Sequence, residues 1–175
     1  MKPYKILFAD MDDTLIKTKS GKAHIYNGVE YIGNGNNVQN GGSVYVIQKI
    51  YEMGISRLHI VSNQGGIEKG YYTKGDMERK FKNICSAIET FSGKGYCPFI
   101  VSYDFSISTA RTDVKRKPNT GMLVNYLAVF GTKYSKSDCL MIGDASGKPG
   151  DFSDSDKKCA ENFGIDYIDV NDFVK

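Results

Sequence analysis

The chain has 175 residues, enough for one domain with a modest insertion and too few for a second independent core. At that length a fold buries about 70% of the surface its unfolded form exposes, so a self-sufficient hydrophobic core is expected. Hydrophobic residues at 41% and charged residues at 25% exclude a disordered tail, and a net charge of +3 excludes a histone-like, charge-driven binder.

Strand and helix signals alternate along the chain. Residues Lys5–Ala9 form a short apolar run, fit for a buried strand. Between Ser43 and Met53, Val44, Ile47 and Ile50 fall at helical spacing, and Gly54 is a natural stop. A second strand is expected at Arg57–Val61. Asp76 is then expected to cap a helix carrying Met77, Phe81, Ile84 and Ile88 on one face and running to about Phe91. A third strand is placed at Pro98–Tyr103. Thr120 is expected to cap a helix with Met122, Leu123, Tyr126, Leu127 and Phe130 inward, ended by Gly131. Cys139–Ile142 reads as a fourth strand, Asp154–Phe163 as a helix stopped by Gly164, and Asp166–Ile168 as a last strand. Such alternation predicts an α/β fold, a three-layer Rossmann-like parallel sheet with helices on both faces. The polar, Gly- and Asn-rich stretch 18–42 breaks the rhythm and is expected to form a flap or surface excursion. There is no repeat and no linker, so the expectation is a single domain over residues 1–175.

No apolar run approaches the roughly 18 residues that a membrane span needs. The N-terminal apolar stretch is too short for a signal peptide and ends at Asp10. Cys85, Cys97, Cys139 and Cys159 form no CxxC pair and have no clustered histidines, which suggests reduced thiols in an intracellular protein, cytoplasmic or nuclear.

In an open parallel sheet, ligands bind beyond the carboxyl ends of the strands. Asp10-Met11-Asp12-Asp13-Thr14 follows the first strand, Ser62-Asn63-Gln64 the second and Gly143-Asp144 the fourth, while Lys115-Arg116-Lys117-Pro118 enters the third helix. This set suits phosphoryl transfer to a carboxylate. Asp10 and Asp12, two apart, face the same side of an extended chain, so one can attack phosphorus while the other handles the proton. A carboxylate attacking a phosphate dianion needs a divalent cation and positive donors. Asp10 and Asp144 supply the hard oxygens that Mg²⁺ prefers, and Ser62 and Lys117 the donors.

Asp10–Ile16 (DMDDTLI), Ser62–Ile67 (SNQGGI), Arg116–Met122 (RKPNTGM) and Gly143–Lys148 (GDASGK) resemble, in order, the four motifs of the haloacid dehalogenase superfamily of phosphatases. Together with Thr14–Lys22 and the DFSDSD and AENFGI segments, they resemble the phosphatase domain of polynucleotide kinase 3′-phosphatases over roughly Ile6 to Phe173. The resemblance implies a haloacid dehalogenase-like fold and a Mg²⁺-dependent hydrolase. It implies that Asp10 is the nucleophile and Asp12 the general acid/base, with a backbone carbonyl on the metal. It further implies that Ser62 and Lys117 orient the phosphate, with Asn63, Gln64, Lys22 and Arg116 at the substrate, and that Asp144 is a metal ligand. Asp156 lies six residues before Asn162, where the resemblance places the second acid of the fourth motif, and Asp151 and Asp154 are close competitors. Where the family usually has Gly, this chain has Asp13, a residue that tolerates positive φ better than most.

The expected substrate is DNA carrying a 3′-phosphate, contacted by Lys17, Lys19, Lys22, Arg111, Lys115 and Arg116 and by base stacking on Tyr26 or Tyr31. The alternative is a small metabolite of the histidinol-phosphate or heptose-bisphosphate type. Those relatives carry a Cys/His zinc loop, and residues 102–115 contain neither Cys nor His. No GxxxxGK[ST] loop occurs, so 5′ phosphorylation is not expected. The spacings 15–44 and 64–116 leave no room for a large cap domain, and an uncapped cleft suits a macromolecule. No protein partner or membrane association is inferred.

Overall fold

The computed structural model describes residues 3–16, 43–91 and 99–175. Five strands, β1 (Ile6–Ala9), β2 (Arg57–Asn63), β3 (Ile100–Ser106), β4 (Cys139–Gly143) and β5 (Asp166–Asp169), form one sheet in the order β3-β2-β1-β4-β5. Every pairing is parallel. Its helices are α1 (Ser43–Glu52), α2 (Lys74–Phe91), α3 (Gly121–Ala128), α4 (Ser155–Phe163) and the short α5 (Val170–Phe173).

Period-two alternation of β1 divides the core. Leu7 and Ala9 pack with Leu58, Ile60, Leu140 and Ile142 under α1, α2 and α5. On the opposite face, Ile6 and Phe8 pack with Val61, Cys139 and Met141 under α3 and α4. These two clusters make the expected three layers. The sheet reverses strand order at β1, so the chain leaving β1 and the chain leaving β4 meet at the switch point where such sheets bind ligands.

Two caps differ from expectation. The cap of α2 is Thr73, whose Oγ1 accepts from the Asp76 amide at 3.1 Å while Asp76 Oδ2 accepts from the Thr73 amide at 3.0 Å. Asp76 is thus the reciprocal partner of a capping box rather than the cap. Thr120 precedes α3 without a side-chain capping bond, and α3 ends at Ala128 before Gly131 is reached. Strand β3 lies later than expected, at 100–106, which carries the chain far enough to pair Ser106 with Asn63. Gly54 and Gly164 do take the left-handed conformation at the ends of α1 and α4, with φ of 65° and 79°. The expected excursion at 18–42, with Lys17, Lys19, Lys22, Tyr26 and Tyr31, lies outside the described residues, as does Cys97. Among the described residues, no helix is long and apolar enough to cross a membrane.

His59 is a buried polar group within this core. Its Nδ1 is 2.9 Å from Ser102 Oγ, and its ring stacks on Tyr126 at 3.9 Å. Burial, with Lys115 adding repulsion, lowers the imidazole to about 3. An unfolded histidine titrates near 6.5, so the unfolded chain takes up this proton first as the pH falls. The stability present above pH 6.5 is therefore lost between about 6.5 and 3. At pH 5 the loss from this residue is on the order of 2 kcal/mol. In His59→Phe, urea unfolding at pH 7 and pH 5 is expected to differ by that much less than in the wild type.

Candidate active site

β1 delivers Asp10 to the switch point, and the turn after it carries Asp12 and Asp13. Asp13 has a φ of 57°, so the aspartate takes the left-handed turn conformation expected of a glycine there. β4 ends at Gly143 and delivers Asp144, whose Oδ1 accepts from Thr14 Oγ1 at 3.2 Å. The first turn of α4 supplies Asp156, only 1% exposed.

Lys117 comes from the loop before α3 and is 3% exposed. Its Nζ donates to Asp10 Oδ1 at 2.5 Å and to Val61 O at 2.8 Å, and lies 2.7 Å from Asp156 Oδ1. Asn63 holds that loop against β2: its Oδ1 accepts from the Lys117 amide at 2.8 Å and its Nδ2 donates to Lys117 O at 2.9 Å. The amide of Gln64 is likewise engaged internally, donating to Asp12 Oδ2 at 2.8 Å and Ser62 Oγ at 2.7 Å. Asn63 and Gln64 thus line the cleft with amides that brace the site's own residues. Ser62 accepts from Gln64 and so keeps its own hydroxyl hydrogen for an anion.

Burial raises the Asp10 carboxyl well above the usual carboxylate range; Lys117 opposes this, while Asp156, Asp12 and Asp144 add to it. Asp144 is pushed up to about 6, by burial first and then by Asp156. Burial alone would lower the Lys117 ammonium, but Asp10 and Asp156 outweigh it and raise it. Lys117 therefore stays charged. Carboxylate oxygens of Asp10, Asp144 and Asp156 lie within 4.8 Å of one another. When all three are ionised, these carboxylates against one ammonium leave two negative charges uncompensated, which matches a divalent cation.

Two further features fit such an ion. Asp156 Oδ1 is fully buried and, among the described residues, is met by the Lys117 ammonium at 2.7 Å and by no other donor. Gly143 leaves room for the carboxylate, since a Cβ there would come within 2.1 Å of Asp156 Oδ2. The competitors of Asp156 are occupied elsewhere: Asp151 Oδ2 accepts from Ser146 Oγ at 2.6 Å, and Asp154 pairs with Lys158 at 2.5 Å.

These residues open into a cleft of about 820 Å³ that also exposes Lys69, Arg111, Arg116, Phe152 and Lys158. Arg116 is braced by the Ser108 carbonyl at 2.8 Å, whereas Lys115 is paired with Asp104 at 2.9 Å. Lys80, absent from the sequence-based candidates, lies 3.2 Å from Asp12 Oδ1. Its signal was present: three residues after Met77 and four before Ile84, it is a charge on the apolar stripe of α2.

Mg²⁺ at ten times its dissociation constant is expected to stabilise the wild type by about 1.4 kcal/mol. Asp144→Ala and Gly143→Ala are each expected to remove most of that gain, read as the Mg²⁺-induced shift in thermal unfolding. An unchanged shift in Asp144→Ala would exclude it as a ligand.

Solved structures with the same fold include a HAD-like phosphatase from Mesorhizobium loti, with TM-score 0.61, 18% identity, and 94% of this chain and 71% of that one covered. Another is D,D-heptose 1,7-bisphosphate phosphatase from B. bronchiseptica, complexed with magnesium and phosphate, with TM-score 0.61, 14% identity and coverages of 97% and 96%. In sequence, the chain is 30% identical over 166 residues to the bifunctional polynucleotide phosphatase/kinase of Schizosaccharomyces pombe, covering 95% of this chain and 36% of that protein. This chain thus spans about a third of the yeast relative. It is 27% identical to an uncharacterised protein from the FGF-VUBI intergenic region of Autographa californica nuclear polyhedrosis virus, over 98% of this chain and 86% of the viral one. The family model described as polynucleotide kinase 3 phosphatase matches residues 5–173, and with an aspartate-lysine site on a HAD-like sheet the chain belongs to that phosphatase family.

Proposed function

We propose that this phosphatase hydrolyses 3′-phosphate monoesters at DNA ends through an aspartyl-phosphate on Asp10. The observation that carries this reading is the cleft mouth. Arg111, Arg116 and Lys69 line it, with Lys158 there paired to Asp154, and Phe152 of the same lining is 99% exposed. Cations beyond the one buried at the reacting phosphate suit a chain of phosphates, and an uncovered aromatic ring suits base stacking. A small sugar phosphate offers no base, and a sugar bisphosphate only one further phosphate. The bifunctional polynucleotide phosphatase/kinase among the relatives points the same way.

Chemistry at the site follows from the residues. Ser62 holds the terminal phosphate and Lys117, bound to Asp10 and Asp156, supplies positive charge beside it, so that Asp10 faces phosphorus opposite the ester oxygen. An Asp10 oxygen forms the new bond to phosphorus as the ester P–O bond breaks, and Asp12 gives its proton to the departing 3′-oxygen. Asp12, now a carboxylate, takes a proton from water as that water attacks phosphorus. The Asp10–phosphorus bond then breaks, releasing inorganic phosphate and restoring both aspartates. Mg²⁺, which Asp10, Asp144, Asp156 and the Asp12 main-chain carbonyl would hold, supplies charge neutralisation of the phosphate dianion.

Asp10→Asn is expected to lower turnover about 10³-fold or more while leaving the fold intact. Phosphate release is to be compared on a 3′-phosphorylated oligonucleotide, its 5′-phosphorylated counterpart and histidinol phosphate. The first is expected to be the best substrate, and its kcat/KM should fall steeply with added salt because several phosphates are contacted. Equal or faster turnover of histidinol phosphate would overturn the polynucleotide assignment in favour of a metabolite phosphatase.

A further inference from the structure

Helix α2 buries Met77, Phe81, Ile84 and Ile88 against the sheet, and between them lies Lys80, 3% exposed. An ammonium so far from water is costly unless an acceptor meets it. Among the described residues Asp12 is such an acceptor, its Oδ1 lying 3.2 Å from Lys80 Nζ. Its other oxygen, Oδ2, accepts from Gln64 Nε2 at 2.8 Å. Gln64 is itself held, since Tyr72 donates its hydroxyl to Gln64 Oε1 at 2.7 Å and Nε2 also reaches Ser62 Oγ at 2.7 Å. Asp12 is thereby gripped at both oxygens, one from α2 and one from the end of β2.

From this geometry we infer that Lys80 is a positioning residue for Asp12, with Gln64 and Tyr72 as the second jaw of the clamp. The inference rests on the phosphatase chemistry proposed above. The Asp12 side chain is 41% exposed and sits in a tight turn, so without the clamp its carboxyl would sample several rotamers in open water. Proton transfer to the leaving oxygen needs one of them, already occupied when the ester binds. In the first step the Asp12 O–H bond breaks as the P–O bond to the leaving group breaks. In the second a water O–H bond breaks and Asp12 regains the proton. Both steps depend on where Asp12 points.

Lys80→Met keeps an unbranched side chain one atom shorter and removes the ammonium. Its kcat on an alkyl phosphate monoester is expected to fall roughly 100-fold, with KM changed less than about threefold. On p-nitrophenyl phosphate, whose phenolate departs without a proton, the first step is spared and the water step is not. The variant should then release a burst of one p-nitrophenolate per active site before slow turnover. Lys80→Arg is expected to recover part of the alkyl-ester rate. Tyr72→Phe loosens the other jaw through a single hydrogen bond and should show the same leaving-group dependence at smaller amplitude, which tests the clamp even if Lys80→Met does not fold. Equal losses on both esters without a burst, or wild-type kinetics on both, would overturn the role of Lys80. A wild-type chain that cleaves both simple esters but not the 3′-phosphorylated oligonucleotide would instead sink the polynucleotide reading and leave the clamp intact.

Discussion

One buried ammonium organises this molecule's active end. Lys117 reaches from the loop before α3 to contact Asp10 at 2.5 Å, Asp156 at 2.7 Å and the Val61 carbonyl at 2.8 Å. It thereby ties together β1, β2 and α4. Removing a charge from water this completely is unfavourable unless each face of it is met by an acceptor. Displacing β1 or α4 would part an aspartate from this lysine, and displacing β2 would leave the ammonium short of one acceptor. The cost of misplacement keeps the site in register with the sheet beneath it. Asn63 serves the same end through two bonds to the Lys117 main chain. Gly121 lets the loop turn closely, since a Cβ there would come within 2.5 Å of the Val114 carbonyl.

The sheet was legible because its central strands are buried on both faces and read as unbroken apolar runs. KILFA, LHIV and CLMI could scarcely be anything but interior strands of a parallel sheet. Local capping chemistry was less legible. Asp76 and Thr73 are both good capping residues, and only the backbone decides which holds the cap and which reaches back. Helix α5 is four residues long and carries too little periodicity to announce itself; it forms because Asp169 accepts from the Asn171 amide and because Val170 and Phe173 reach the core.

At the site, residues that follow strands were readable from the rule that such sheets bind ligands at their carboxyl edge. Asp10, Asp144 and Ser62 come from that rule and the motifs. Choosing Asp156 over Asp151 and Asp154 is a matter of three dimensions: all three acids border one loop, and only the burial of α4's first turn against Gly143 singles one out. Gln64 and Asn63 show the converse limit. A polar residue beside a phosphate site can as well brace the machinery as touch the ligand, and sequence does not distinguish the two.

Substrate choice lives outside this core. The same sheet supports a heptose bisphosphate phosphatase at 14% identity, so the chemistry of phosphoryl transfer cannot encode what the phosphate is attached to. Under the proposed function, discrimination belongs to the cleft surface around the site, which in this chain carries arginines and an exposed phenylalanine. Asp13 lies on the same cleft and adds to the forces raising Asp144. A glycine would satisfy the turn's left-handed backbone with no charge at all, so the aspartate adds a negative field beside Asp144 that the fold itself does not require.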